Sequence, residues 1–282
     1  MALQGRVHKN VSLLAVLLSL GVYSLAAEEA DQRPAKGIQD NSFLVEEAYN
    51  QEAGVVQHIL GIQHGINRVS GADDRSWDFV FSQEWPLFSQ THQISYTVPY
   101  SLLESGGRSV NGFGDVLLNY RFQALYEGDT RPAFAPRFSL VLPTGSESKG
   151  LGNDTVGYLF NLPVSKIVAD RWTLHANAGL ALFPDLNGRN PVTYQLGASA
   201  IYAVNSNFNL MLESTARWIE TVNASGHIDR EFESVISPAV RYAFNLKAGQ
   251  LVLGVGAPIG LTKAAADYGV IFYVSFEHRF KK

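Results

Sequence analysis

Histidine and serine are the groups with which this chain could do covalent chemistry, and it has seven histidines and no cysteine. A nucleophilic serine needs a base within hydrogen-bond reach and a third group to orient that base. His92 and Ser95 are three apart and fall on opposite faces of a strand. His175, His227 and His278 have no serine two positions away, and no G-x-S-x-G is present. Pairs formed across strands stay open, so a lipid-modifying enzyme is retained as a rival reading; a lone interior His175 is more often a satisfied hydrogen-bonding group. The loop "PTGSESKGLGND", Pro143 to Asp154, has the glycines of a phosphate cradle but lacks the G-K-[ST] ending and a following helix. Asp73 and Asp74 are adjacent acids of the kind that solvent usually covers, and no spacing calls for a dedicated metal site or a cofactor. No catalytic set is assigned.

More informative are polar and charged residues at every second position of apolar segments. Asp115, Asn119, Arg121, Arg137, His175, Asn177, Gln195, Glu213, Arg217, Glu233, Arg241, Glu277 and Arg279 lie opposite the apolar positions. Five arginines against Asp115 and three glutamates make a nearly balanced set. One reading makes them salt-bridged fillers that stiffen a narrow barrel. The other has them line a polar passage that orients a small solute.

The elements that must carry these residues are strands. From Val56 onward about twelve segments of nine or more residues alternate with period two, and helical period is almost absent. Trp172 to Phe183 places Trp172, Leu174, Ala176, Ala178, Leu180 and Leu182 on one face. Pro191 to Val204 repeats the pattern. The C-terminal "DYGVIFYVSFEHRF" sets Tyr268, Val270, Phe272, Val274, Phe276, His278 and Phe280 against Ser275, Glu277 and Arg279. Connections alternate in length. One set is mostly short, as at Leu87 to Gln90, Ala169 to Arg171 and Asn205-Ser206, with Tyr126 to Ala133 the exception. The other is longer and polar or Gly-rich: Arg68 to Arg75, Leu102 to Phe113, Pro143 to Asp154, Pro184 to Asn190, Glu220 to Arg230 and Gly260 to Ala266. Short turns at one end and long loops at the other predict an all-β fold, a transmembrane antiparallel up-and-down β-barrel of about 12 strands spanning residues 55–282. Pro99, Pro163, Pro238 and Pro258 fall inside these segments and predict bulges or early strand ends.

Composition agrees. Charged residues are 17% of the chain, against about 25% in ordinary globular domains. After residue 30 no run approaches the ~20 apolar residues of a membrane-spanning helix. Arg6, His8 and Lys9, then the apolar run Val11 to Leu25, read as a signal peptide over residues 1–26, cleaved after Ala26. Losing Arg6 and Lys9 from the 22 basic residues leaves 20 against 26 acidic ones, about −6 for the mature chain, which argues against nucleic acid as a partner. Residues 27–54 do not alternate and are expected to be a periplasmic N-terminal segment, either a tail ordered near Phe43 or a plug entering the lumen.

The stretch "NSFLVEEAYNQEAGVVQHI", Asn41 to Ile59, with "GFGDVLLNYRFQ" and "PRFSLVLPTGS", resembles the bacterial family of outer-membrane transporters filed under the meta-pathway of phenol degradation. The resemblance runs from about Phe43 to Phe280. It implies a membrane β-barrel and passage of aromatic or other small apolar compounds; it supplies no set of binding residues. The expectation is an outer-membrane channel or diffusion facilitator for small molecules. Its expected partners are outer-membrane lipid and lipopolysaccharide, a small-molecule solute and, during insertion, the barrel-assembly machinery. A closed structural barrel is the other alternative.

Overall fold

The computed structural model describes residues 37–38, 40–68 and 73–280. The expected leader lies outside the described residues. Strand segments follow in chain order: β1 Val55–Asn67, β2 Asp74–Leu87, β3 Ser89–Ser105, β4 Arg108–Phe113, β5 Val116–Phe122, β6 Ala133–Phe134, β7 Arg137–Leu142, β8 Gly157–Asn161, β9 Val164–Ala169, β10 Trp172–Leu182, β11 Val192–Asn205, β12 Phe208–Val222, β13 Ile228–Asn245, β14 Gly249–Gly256, β15 Ile259–Gly260 and β16 Tyr268–Arg279. Four pairs, β4/β5, β6/β7, β8/β9 and β14/β15, each continue one stave across a short break. The described residues therefore form twelve staves.

Every neighbouring pair is antiparallel, and β1 pairs β16 from Val55↔Arg279 to Ile66↔Tyr268, so the sheet closes on itself. Closure leaves no unpaired edge, the condition for a sheet to stand in lipid. Alternation then sorts the side chains. Leu174, Leu196, Leu212 and Phe272 stand out from the wall, while their neighbours His175, Glu213 and Ile271 are buried. Staves as long as the 18-residue β13 exceed the roughly 9–11 residues that cross a bilayer.

Proline sits in three of the four breaks, the first being Pro136 between β6 and β7. Pro163 separates β8 from β9, and Pro258 separates β14 from β15; each lacks the N–H that the ladder needs. Pro99 and Pro238 sit within β3 and β13, and their carbonyls still accept from Gly114 and Ala257 at 2.9 Å each. Two loops are shorter than alternation implies. The stretch Leu102 to Phe113 is a hairpin extension of β3 and β4, closed by Gly106 and Gly107 at φ +56° and +75°, angles that glycine adopts without a Cβ clash. Likewise β12 and β13 run on to Val222 and from Ile228, where the sequence suggested a loop from Glu220 to Arg230.

The loop from Pro143 to Asp154 wraps an internal carboxylate. Asp115 Oδ1 accepts from the Gly145 N–H at 2.9 Å, and its Oδ2 accepts from Asn153 N at 2.9 Å and Nδ2 at 3.1 Å. Those backbone donors are thus used within the protein. A Cβ on Gly152 would lie 2.6 Å from Asp115 Oδ1, which explains the glycine there.

Leu212 is half exposed on the outward face. Replacing it with Arg should cost about 2–4 kcal/mol if it lies near mid-bilayer depth, measured by urea titration of barrels folded into vesicles. Ser225→Arg, in an exposed turn, should stay within about 0.5 kcal/mol of the parent.

Candidate functional site

Residues 40–51 have no regular secondary structure, yet they lie against the inner face of the barrel. Each buried N–H and C=O in such a stretch needs a partner from elsewhere. The alternating inward positions of the wall supply them. Asn177 reads Glu46 as a neighbouring strand would: its Oδ1 accepts from Glu46 N and its Nδ2 donates to Glu46 O, both at 2.8 Å. Gln123 does the same one step on, accepting from Asn50 N at 2.9 Å and donating to Ala48 O at 2.8 Å. Ser165 Oγ accepts from Ala48 N at 2.7 Å, Gln93 from Gln51 N at 2.8 Å, and Glu213 from Leu44 N at 3.0 Å. Arg241 donates to the carbonyls of Asp40 and Asn41, both at 2.8 Å.

Arg121 is the hub. Only 2% exposed, it donates to Asn50 Oδ1, Glu46 Oε1, Glu47 O, Tyr49 O and Gln93 Oε1 at 2.7–3.2 Å. The Glu46 carboxylate also meets Arg137 Nε at 3.3 Å and accepts from Asn161 Nδ2 at 2.7 Å. Burial by itself raises the Glu46 pKa, but Arg137 and Arg121 more than offset it, so the group is held below the usual glutamate value. Asp40 goes the other way. It accepts from Gln57 at 2.8 Å and from the Tyr273 hydroxyl, yet burial lifts its pKa above the usual range against the pull of Arg241.

Apolar contacts complete the docking. Phe43 stacks on Tyr273 with centroids 4.9 Å apart, and Ala48 packs with Ala133 and Ala135. The long turn after Phe122 closes over the same spot. Its Glu127 accepts from the Tyr49 hydroxyl and pairs with Lys166 at 2.9 Å.

Of the residues singled out by sequence, Arg121, Arg137, His175, Glu213 and Arg241 converge around the N-terminal segment. Arg217 and Glu233 pair with each other at 3.3 Å. Asn119 donates to Ser95 and Thr97, and Asp115 holds its loop. Glu277 sits opposite Gln57 and Gln250, and Arg279 is exposed at the end of β16. Sequence reasoning missed Asp40, Glu46, Gln93, Gln123 and Ser165. A polar residue on an inward position could have flagged the last three, whereas nothing local marks the segment's acids. The wall does bring a serine and a histidine together, since Ser165 Oγ and His175 Nδ1 are 2.7 Å apart across β9 and β10. Ser165 is fully buried under Ala48, whose N–H it accepts.

The segment divides the interior. On the side of the short turns lies a cavity of about 580 Å³ lined by Tyr49, Asp170, Arg171, Asn205 and Arg241. On the other side two hollows of about 270 Å³ each share Leu44, Asn177 and Gln195.

Gly254 packs directly under the Phe43 ring, and a Cβ there would overlap it. Gly254→Ala should therefore raise hydrogen exchange at residues 41–45 while leaving the barrel's melting unchanged. The Glu46 shift gives a pH dependence. Its contribution to docking is complete above its undocked pKa, about 4, and is lost as pH falls through the lower docked value. Asp40 contributes in the opposite sense, fully below its undocked pKa and less as pH rises through the docked one. Acidification below about pH 4 should thus loosen residues 44–48 in the parent more than in Glu46→Gln, read by the same exchange measurement.

No curated protein sequence matches the chain. Among solved structures, an outer membrane channel from Pseudomonas putida F1 superposes with a TM-score of 0.66 at 13% identity, covering 83% of this chain and 98% of that one. The translocator domain of the autotransporter NalP from Neisseria meningitidis gives 0.50 at 11% identity, over 82% and 90% of the two chains. At such identities the likeness is one of fold. A closed barrel with an apolar exterior is an outer-membrane architecture. The sequence profile described as "Putative MetA-pathway of phenol degradation" matches residues 46–277. The chain belongs to that family.

Proposed function

We propose that the protein is a conduit for small molecules across the outer membrane, closed from its periplasmic end by residues 40–51. In this reading the leader is removed, the short turns face the periplasm and the long loops face the lipopolysaccharide. The carrying observation is that residues 40–51 are held by side-chain hydrogen bonds and ion pairs rather than by a strand ladder, so they can leave without unpairing any stave. On the wall, the hollows beyond the segment combine Ile59, Val80 and Tyr273 with amides and hydroxyls from Gln195, Asn177, Ser82 and Thr97. Such a lining suits small solutes with a ring or other apolar body and one polar group, in keeping with the family's link to phenol degradation.

The chain has no cysteine, so a single staple can be added cleanly. Ser42 and Ser199 approach with their Oγ atoms 2.6 Å apart. The full-length mature protein carrying Ser42→Cys and Ser199→Cys should be silent in planar bilayers when oxidised and show discrete KCl openings when reduced. Silence in both states would sink the conduit and favour a closed structural barrel. Equal current in both would show that the segment is no gate.

A further inference from the structure

We propose that Arg121, Arg137 and Asn161 form a carboxylate-binding site on the barrel wall, filled by Glu46 while the segment is docked and taken over by a small organic carboxylate when the segment leaves. The inference rests on the conduit reading and adds the class of solute.

The geometry is that of a fork around one carboxylate. Glu46 Oε1 accepts from Arg121 Nη1 at 3.0 Å; Oε2 accepts from Asn161 Nδ2 at 2.7 Å and faces Arg137 Nε at 3.3 Å. Two guanidiniums and an amide donor converging on a pair of oxygens are the groups that recognise a carboxylate rather than a neutral hydroxyl. Glu46 does not satisfy the site fully. Its contact with Arg137 is an ion pair without an aligned hydrogen bond, leaving the buried Arg137 Nε–H without a hydrogen-bond acceptor. A free ligand, not tethered to a chain on both sides, can align an oxygen with this donor as Glu46 does not.

Charge points the same way. Between Asp40 and Gly54 the segment has Asp40, Glu46, Glu47 and Glu52 and no Lys or Arg. Its departure removes Glu46 from between Arg121 and Arg137, while Glu84 stays at 3.8 Å from Arg121. Two guanidiniums then share one neighbouring wall carboxylate, and a solute that brings its own anion restores the balance. On the wall, Arg137 and Asn161 share one hollow with Ile59, Val80 and Tyr273, so an apolar body has a place beside the anionic end.

The test uses the reduced Ser42→Cys/Ser199→Cys protein, with KCl current recorded first and then benzoate or neutral benzamide added as probes. Benzoate should block the current and benzamide should not. Glu46→Gln, which removes the built-in competitor, should lower the benzoate concentration needed, and Arg137→Gln should raise it about tenfold, the weight of one charge-assisted contact. Should Arg137→Gln fail to assemble, seen as loss of KCl current, the Glu46→Gln comparison still decides. Current that opens on reduction but treats benzoate and benzamide alike, with and without Glu46, overturns the carboxylate site and leaves the conduit standing. Absence of KCl current after reduction overturns both.

Discussion

Everything inside this barrel follows from the cost of burying a peptide backbone that has no ladder of its own. Each unpaired N–H or C=O placed out of water costs about 1–3 kcal/mol, and residues 40–51 bring a dozen residues' worth of them into a narrow interior. The wall answers with side chains shaped like peptide groups. Asn177 and Gln123 each offer a carbonyl and an amide together, and so imitate the edge of a neighbouring strand at the spacing the segment requires. Arg121 and Arg241 collect the carbonyls that remain. The price of this solution is a wall whose inward face, where it meets residues 40–51, is committed to one sequence.

That commitment ties the electrostatics to the packing. A buried arginine is tolerated only where its donors and its charge are both matched. Arg121 meets both requirements through five acceptors and Glu46, most of them on the segment rather than on the wall. The segment is therefore a structural part of the closed interior. Glu213 shows the converse, as a carboxylate whose Oε1 accepts a segment N–H while Oε2 has no partner.

Legibility in the sequence divides along the same line. The staves were readable because lipid imposes period two on the outward face, and Leu174, Leu196 and Leu212 obey it whatever the interior does. Strand ends were less so. Gly106-Gly107 reads as a loop until the turn geometry shows that the strands continue to it. Inward arginines and glutamates could be placed on a face but not paired, since pairing depends on stave order and register: Arg121 and Arg137 are 16 residues apart in number yet directly opposite in the ladder. The segment itself was least readable. It has no period, and its order is imposed by residues as far away as Tyr273, so only its lack of alternation could be noted.

The closure of β1 onto β16 has a kinetic consequence. The first and last staves must meet before the cylinder exists, and the partners of residues 40–51 are scattered over nearly every stave, with the Asp40–Tyr273 bond spanning 233 positions. Contacts that remote are the slowest to form. Docking of residues 40–51 is therefore an intramolecular binding event that needs the closed cylinder as its surface, because no smaller set of staves carries all of its partners.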